Sequence, residues 1–280
     1  MTVYRIPIGD AIEAGIDFFV THLSFATIAF SKFTTKGIAY LSEILMFLPP
    51  WAMILIFTGL AWFLSKKWGI GLFTLIGMSL IWNMQLWGPT MDTISLIIIA
   101  TLLSVAIGIP LGIFSALSTT AYRIITPVLD VMQTMPAFVY LIPAIPFFGL
   151  GAVGAIFATV IFSVPPCIRL TCLGIQQVPR EMVEAADAFG SSKAQKLFKV
   201  QLPIAKTTIM AGINQTIMLA LSMVVIAAMI GAKGLGGEVW RAIQRLEAGR
   251  GFEAGIGIVI IAIILDRVMQ QVAGGKKQQM

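Results

Sequence analysis

The sequence predicts an all-α integral membrane protein, a polytopic helical bundle of about seven spans preceded by an N-terminal amphipathic helix. Three observations predict it. Of the 280 residues, 58% are hydrophobic and 11% charged, with a mean hydropathy of +0.93, which excludes an ordinary soluble domain. The apolar runs are long enough to cross a hydrocarbon core of about 30 Å, which takes roughly 20 helical residues. None of them alternates as a barrel strand must, so helices are the way to satisfy the backbone in lipid.

From Asp10 to about Phe30, the polar residues Glu13, Asp17, Thr21 and Ser24 recur at helical spacing, with Ile12, Ile16, Phe19, Val20 and Leu23 on the other side. This stripe predicts an amphipathic helix lying on the membrane surface. Its acidic residues interrupt what would be the apolar core of a signal peptide, so no cleaved leader is expected. After the helix-breaking Leu48-Pro49-Pro50, spans are expected at 51–65, 69–86, 93–118, 131–149, 152–173, 207–230 and 254–270. Lys66, Lys67, Arg123, Arg180, Lys193, Lys196, Lys199, Lys206, Arg267, Lys276 and Lys277 then share one side, which the positive-inside rule assigns to the cytoplasm. The formal charge of +6 therefore reflects topology, not nucleic-acid binding. Segment 231–252 departs from the rule by placing Lys233, Arg241, Arg245 and Arg250 outside, partly offset by Glu238 and Glu247.

One polar stretch, EMVEAADAFGSSKAQKLFKVQLP at 181–203, faces the cytoplasm in this arrangement. Pro179 suits a first helical position, Glu181 and Glu184 suit the positive end of the helix dipole, and Gly190 is a natural stop. Ser191 or Ser192 can cap a second helix that closes before Pro203. Ala185, Ala186 and Ala188 leave the backbone of the first helix open to close approach by a partner, although these residues suit a solvated connecting loop equally well.

Glu184, Ala185 and Ala186, followed at fixed spacing by Gly190, Val200, Leu202 and Pro203, resemble the EAA loop of permease subunits of ATP-binding-cassette importers, with Val200 where isoleucine is usual. The stretches MQTMPAFVYLIPAIPFFGLG from Met132, IRLTCLGIQQVPREMVEAADAFGSS from Ile168, AGINQTIMLALSMVVIAAMIGAKGLGGEV from Ala211 and GFEAGIGIVIIAIILDR from Gly251 resemble the glycine betaine, proline betaine and choline importers in particular. The resemblance covers 92–270 densely. It implies a type I ABC importer permease of the bacterial cell membrane, with a scaffold segment at 1–48, peripheral scaffold spans at 49–90 and a core domain at 91–273 carrying the coupling loop at about 174–206. It also implies partners: two copies of a cytoplasmic ATPase, a second copy of this permease, and an extracellular or periplasmic substrate-binding protein on another chain. Glu184, Ala185, Ala186, Gly190, Leu202 and Pro203 are the residues it assigns to ATPase coupling.

A path for a small polar solute is expected among Met132, Gln133, Met135, Pro136, Phe138, Tyr140, Asn214 and Gln215. Amides are costly in hydrocarbon, so Gln133, Asn214 and Gln215 must face protein, as interhelical hydrogen bonds or as pathway lining. Quaternary ammonium groups are recognised by aromatic faces, and Phe138, Tyr140, Phe147 and Phe148 either offer transient contacts of that kind or simply pack. Pro110, Pro136, Pro143, Pro146, Pro165 and Pro166 interrupt apolar runs and free carbonyls that neighbours or water must satisfy.

Other chemistry is not suggested. Gly149, Gly151 and Gly154 follow no strand and read as a turn, not a dinucleotide loop. With no GxxxxGK[ST] motif, the chain is expected not to hydrolyse ATP; ATP and Mg belong to the partner, and no cofactor or metal is expected here. His22 is the only histidine, and Cys167 and Cys172 read as small buried apolar residues. An ion-gradient-driven transporter would need carboxylates or histidines within its spans, where Asp130 and Asp266 lie only near the ends. A permease for another small solute, such as an amino acid, is the nearest alternative.

Overall fold

The computed structural model describes residues 7–273, which are helical throughout, without strands among the described residues. The expected N-terminal amphipathic helix proves to be two: α1 (Ile8–His22) and α2 (Ser24–Phe47), bent by 73°. At the bend, the Thr21 hydroxyl donates to the Asp17 carbonyl at 2.8 Å and the His22 ring bonds the Phe18 carbonyl at 2.8 Å. Such back-bonding competes with the helical ladder and favours bending. Only α1 keeps the exposed acidic stripe, whereas α2 buries Thr34, Ser42 and Leu45 against the bundle.

α3 (Pro50–Ser65) and α4 (Trp68–Asn83) form a hairpin that turns at Lys66 and Lys67. At 16 residues each they are about 24 Å long, short of a full hydrocarbon crossing. α5 (Trp87–Leu117) is long and apolar enough to span by itself. Next comes α6 (Thr119–Thr134), a 3-10 turn (Ala137–Tyr140) and α7 (Leu141–Phe148). The straight span expected at 131–149 is thereby corrected to a pair bent by 111°. The cause is Pro136: it forces Met135 into extended backbone, with ψ of 135°, and ends α6 one residue earlier.

α8 (Ala152–Gln176) is the second full span, followed by α9 (Arg180–Ala188). α10 (Lys193–Lys196) then runs through a π-helical turn (Leu197–Gln201) into α11 (Leu202–Ala227) and a closing 3-10 turn (Ala228–Ile230). The second loop helix was expected to close before Pro203, but Lys193–Ile230 is one continuous helix of 38 residues. The wider π-helical turn lies where the proline ring would crowd a preceding carbonyl and where its missing N–H would break an ordinary α-helical ladder. α12 (Leu235–Arg245) and α13 (Ala248–Ala273) complete the chain. Helices thus stand at all seven expected positions, but three are full spans on their own, and five if each bent pair counts as one.

Small residues set the centre of the bundle. Ser104 bonds Ser163 at 3.0 Å across α5 and α8, and a Cβ on Gly108 would stand 2.7 Å from Cys167 Cβ, one on Gly112 2.6 Å from Thr171 Cβ. The three pairs share one offset in sequence, so α5 and α8 run parallel, and the bent α6–α7 pair carries the chain back between them. Small residues every fourth position let two helices approach closely without side-chain ridges between them. α11 lies antiparallel to α8, with Gly174 against Ala205 and Gly212 against Leu170. A second apolar cluster, including Leu45, Met53, Met78, Ile81, Met91, Leu235 and Ile260, ties α2, α3 and α4 to α5, α12 and α13.

Candidate coupling surface and translocation path

α9 begins after Pro179, whose extended backbone (ψ 130°) directs the chain out of α8. It ends where Gly190 takes a φ of +72°, a conformation that side-chain-bearing residues rarely adopt. The Gly190 and Ser191 amides return to the Asp187 and Ala186 carbonyls at 2.9 and 3.0 Å, closing the turn. Ser192 then caps α10 in a reciprocal box with Gln195, whose side chain accepts from the Ser192 amide at 2.8 Å. The two helices are fastened to each other by Lys196 Nζ, 2.7 Å from both Asp187 carboxylate oxygens.

This construction divides the six expected coupling residues. Glu184, Ala185, Gly190 and Pro203 are exposed, Ala186 is half-buried, and Leu202 is drawn into the apolar cluster of Ile175, Leu197, Ala205 and Ile209. Glu184 makes no ion pair among the described residues. Around it, Met182, Phe189 and Phe198 are 48%, 91% and 65% exposed, an apolar rim that a solvated linker would not need. The surface is open, while its root is buried in the bundle.

The expected path residues fall into two groups. Gln133, Pro136, Phe138 and Gln215 lie on open faces, with Met132 and Met135 half-buried at the bend. Tyr140 is buried and its hydroxyl donates to the Met132 carbonyl, bridging the break in the bent pair. Asn214 donates from Nδ2 to Asp266 Oδ1 at 2.9 Å, and Gln270 donates to the other carboxylate oxygen at 2.7 Å. That amide is therefore an interhelical tie between α11 and α13. Phe147 and Phe148 pack with Phe157, and Phe148 with Phe30, joining α7, α8 and α2.

One feature was missed in the sequence. Arg169 lies within α8 and pairs with Asp130 of α6, both side chains partly exposed at 38% and 58%. Charges do not face lipid without cause, so this side of α6 and α8 faces water or another protein surface. The small residues of 231–237, read in the sequence as permitting a tight turn or close helix approach near the extracellular mouth, do pack closely at the ends of three helices. The Gly151 amide donates to the Ile230 carbonyl at 2.7 Å, and the Leu235 amide donates to Thr93 Oγ1 at 2.8 Å. The residues Gly149 and Gly151, both at positive φ, form the tight turn expected of them. A search for Arg among apolar runs finds Arg169, but its partner lies 39 residues away and only the bend brings it near.

Residues 108–275 match the family described as "Binding-protein-dependent transport system inner membrane component". The chain is 49% identical to the glycine betaine transport system permease protein OpuAB of Bacillus subtilis, over 98% of this chain and 97% of that one. It is 57% identical to the glycine betaine/carnitine transport permease protein GbuB of Listeria monocytogenes over 79% and 80% of the two chains. To the glycine betaine/proline betaine transport system permease protein ProW of Escherichia coli it is 47% identical, covering 95% of this chain and 75% of that one. Among solved structures, a chain of the MetNI methionine ABC transporter in an inward-facing conformation shares the fold, with a TM-score of 0.63 at 19% identity over 67% of this chain and 94% of that chain.

Proposed function

The chain belongs to the binding-protein-dependent transport system inner membrane components, and from that premise we propose that it is the permease of an ATP-driven importer for glycine betaine and related quaternary ammonium solutes. The likeness to three glycine betaine permeases, nearly full-length for OpuAB, supports the substrate class. One structural observation supports the mechanism: the continuous helix Lys193–Ile230 starts beside α9 and ends where the Ile230 carbonyl accepts from the Gly151 amide.

Its 38 residues measure about 57 Å. Two copies of the chain enclose the path, and each offers α9 to one of two ATPase subunits. Ala185 and Ala186 admit the partner's surface close to the backbone, Glu184 supplies charge at the rim, and Gly190 keeps the turn compact. ATP and Mg act in the partner, and no ATP chemistry falls to this chain. When the ATPases close, α9 moves. The Asp187–Lys196 bond and the Leu202 anchor pass that displacement to α10 and α11, whose far end meets the Gly151 turn at Ile230. A bistable mouth at that end then opens or shuts the path. The solute is delivered by the binding protein, and weak contacts along the path keep its release fast.

Glu184→Lys and Gly190→Asp test this. Each variant should insert in the membrane at wild-type level but lose most of the ATPase stimulation by substrate-loaded binding protein, together with uptake. Wild-type stimulation and uptake in both variants would remove the coupling role from this surface.

A further inference from the structure

At the outer mouth, a cavity of about 530 Å³ lies between the start of α5 and the α11–α12 connection, lined by Asp92, Lys233, Trp240 and Arg241 over a floor of small residues that includes Gly231 and Gly234. That size lies within the roughly 300–1,000 Å³ of small-molecule sites. Trp240 is half-buried, and Asp92 is half-buried in the first turns of α5, where it accepts a hydrogen bond from Ser42 at 3.3 Å. Neither Asp92 nor Lys233 takes part in an ion pair among the described residues, whereas Arg241 is already held by Glu238 at 2.6 Å. The cavity is therefore lined by an aromatic side chain, a carboxylate and an ammonium, the two charged groups outside any ion pair among the described residues.

We propose that this cavity is an outer-mouth subsite for a zwitterionic quaternary ammonium solute, with the methylated ammonium received by Trp240 and Asp92 and the solute's carboxylate by Lys233. The inference deepens the import function proposed above and rests on it for the identity of the solute. A quaternary ammonium cannot donate an N–H bond; an aromatic face and a nearby carboxylate attract it by its diffuse charge. Lys233, with Arg241 beyond it, makes the same cavity unfavourable for a cation that lacks a carboxylate, so betaines should exceed choline here. Gly234, at φ +113°, is pressed against Thr93 so that a Cβ there would lie 2.5 Å from Thr93 Oγ1. The floor is thus fixed to α5, and the cavity stands at the end of the helix that leads to the coupling surface.

The test is a titration of the permease–ATPase complex in nanodiscs, labelled with 5-fluorotryptophan and read by fluorine NMR without ATP. Trp240→Phe identifies the Trp240 resonance. Glycine betaine should move it saturably, and glycine, which has the carboxylate but no methyl groups, should not. Asp92→Asn should weaken the response roughly 5- to 30-fold, and Lys233→Gln should bring betaine down to the level of choline. A Trp240 resonance that glycine betaine leaves unmoved, or that glycine moves equally, overturns the subsite. The titration requires no transport, so it decides the subsite independently; uptake by the same wild-type complex, reconstituted in proteoliposomes with its binding protein, decides the import function.

Discussion

Asn214 sits between α11 and α13 with its amide nitrogen on Asp266, and its own carbonyl oxygen is buried without a hydrogen-bond partner. Asn214→Ala removes one of the two side-chain donors to a carboxylate in the bundle, which should cost about 1–3 kcal/mol and lower the thermal midpoint of the detergent-solubilised protein. Selectivity among quaternary amines should stay unchanged. A variant with wild-type stability but altered substrate preference would instead make Asn214 part of the path. At this scale the sequence marked Asn214 as a side chain that must face protein, because polarity in an apolar run is local information; Arg169 carried the same signal. The sequence did not show their partners. Asp266 lies 52 residues from Asn214 and Asp130 lies 39 residues from Arg169, and such pairings depend on how helices cross. Gly190 was legible because a positive φ at a helix end is a property of one residue and its neighbours.

Helices α5 and α8 come close where Gly112 faces Thr171 and the Ile168 carbonyl, the latter 2.8 Å from where a Cβ would stand. Backbone cannot move aside as a flexible side chain can. Gly112→Ala should therefore cost about 1–3 kcal/mol by overpacking, while Gly59→Ala, whose Cβ would meet nothing within 4 Å, should leave the protein as stable or slightly more so. Thermal midpoints of the two variants compare the sites directly; equal midpoints would contradict the close α5–α8 contact. The spacing Ser104, Gly108, Gly112 was present in the sequence as a small-residue ladder, but the facing ladder of Ser163, Cys167 and Thr171 became meaningful only once the two helices were seen to be parallel. Element ends were less legible where competing signals met. Pro203 marks a helix break by its chemistry, yet the π-helical turn before it absorbs the proline, and the apolar pattern of 131–149 conceals the bend that Pro136 imposes. At the N-terminus, α1 makes few buried contacts while α2 joins the core. Deleting residues 1–22 should thus preserve assembly, whereas deletion through 47 should abolish it, as size-exclusion profiles of the complex would show.

The whole molecule has two distant surfaces joined by one continuous helix, Lys193–Ile230. Its basic side carries a polar helix pair fastened by Asp187 and Lys196, and its opposite side carries a glycine-rich mouth pinned at Ile230 and Thr93. Breaking the fastening with Asp187→Ala should reduce solute moved per ATP hydrolysed by a few-fold without unfolding, because an exposed ion pair contributes only about 0–1 kcal/mol to stability. An unchanged ratio would show that Leu202 and the loop backbone suffice. Membrane class and helix content were legible at this scale because composition specifies them, and one spaced motif marked the polar helix pair that we propose as the coupling surface. The lever was not, since it depends on α10 and α11 being a single helix. The most direct test is uptake of radiolabelled glycine betaine by proteoliposomes holding this chain with its ATPase and binding protein, with and without internal ATP. The account predicts uptake that requires ATP and is competed by unlabelled proline betaine. A complex that assembles and hydrolyses ATP but moves no quaternary amine would contradict it.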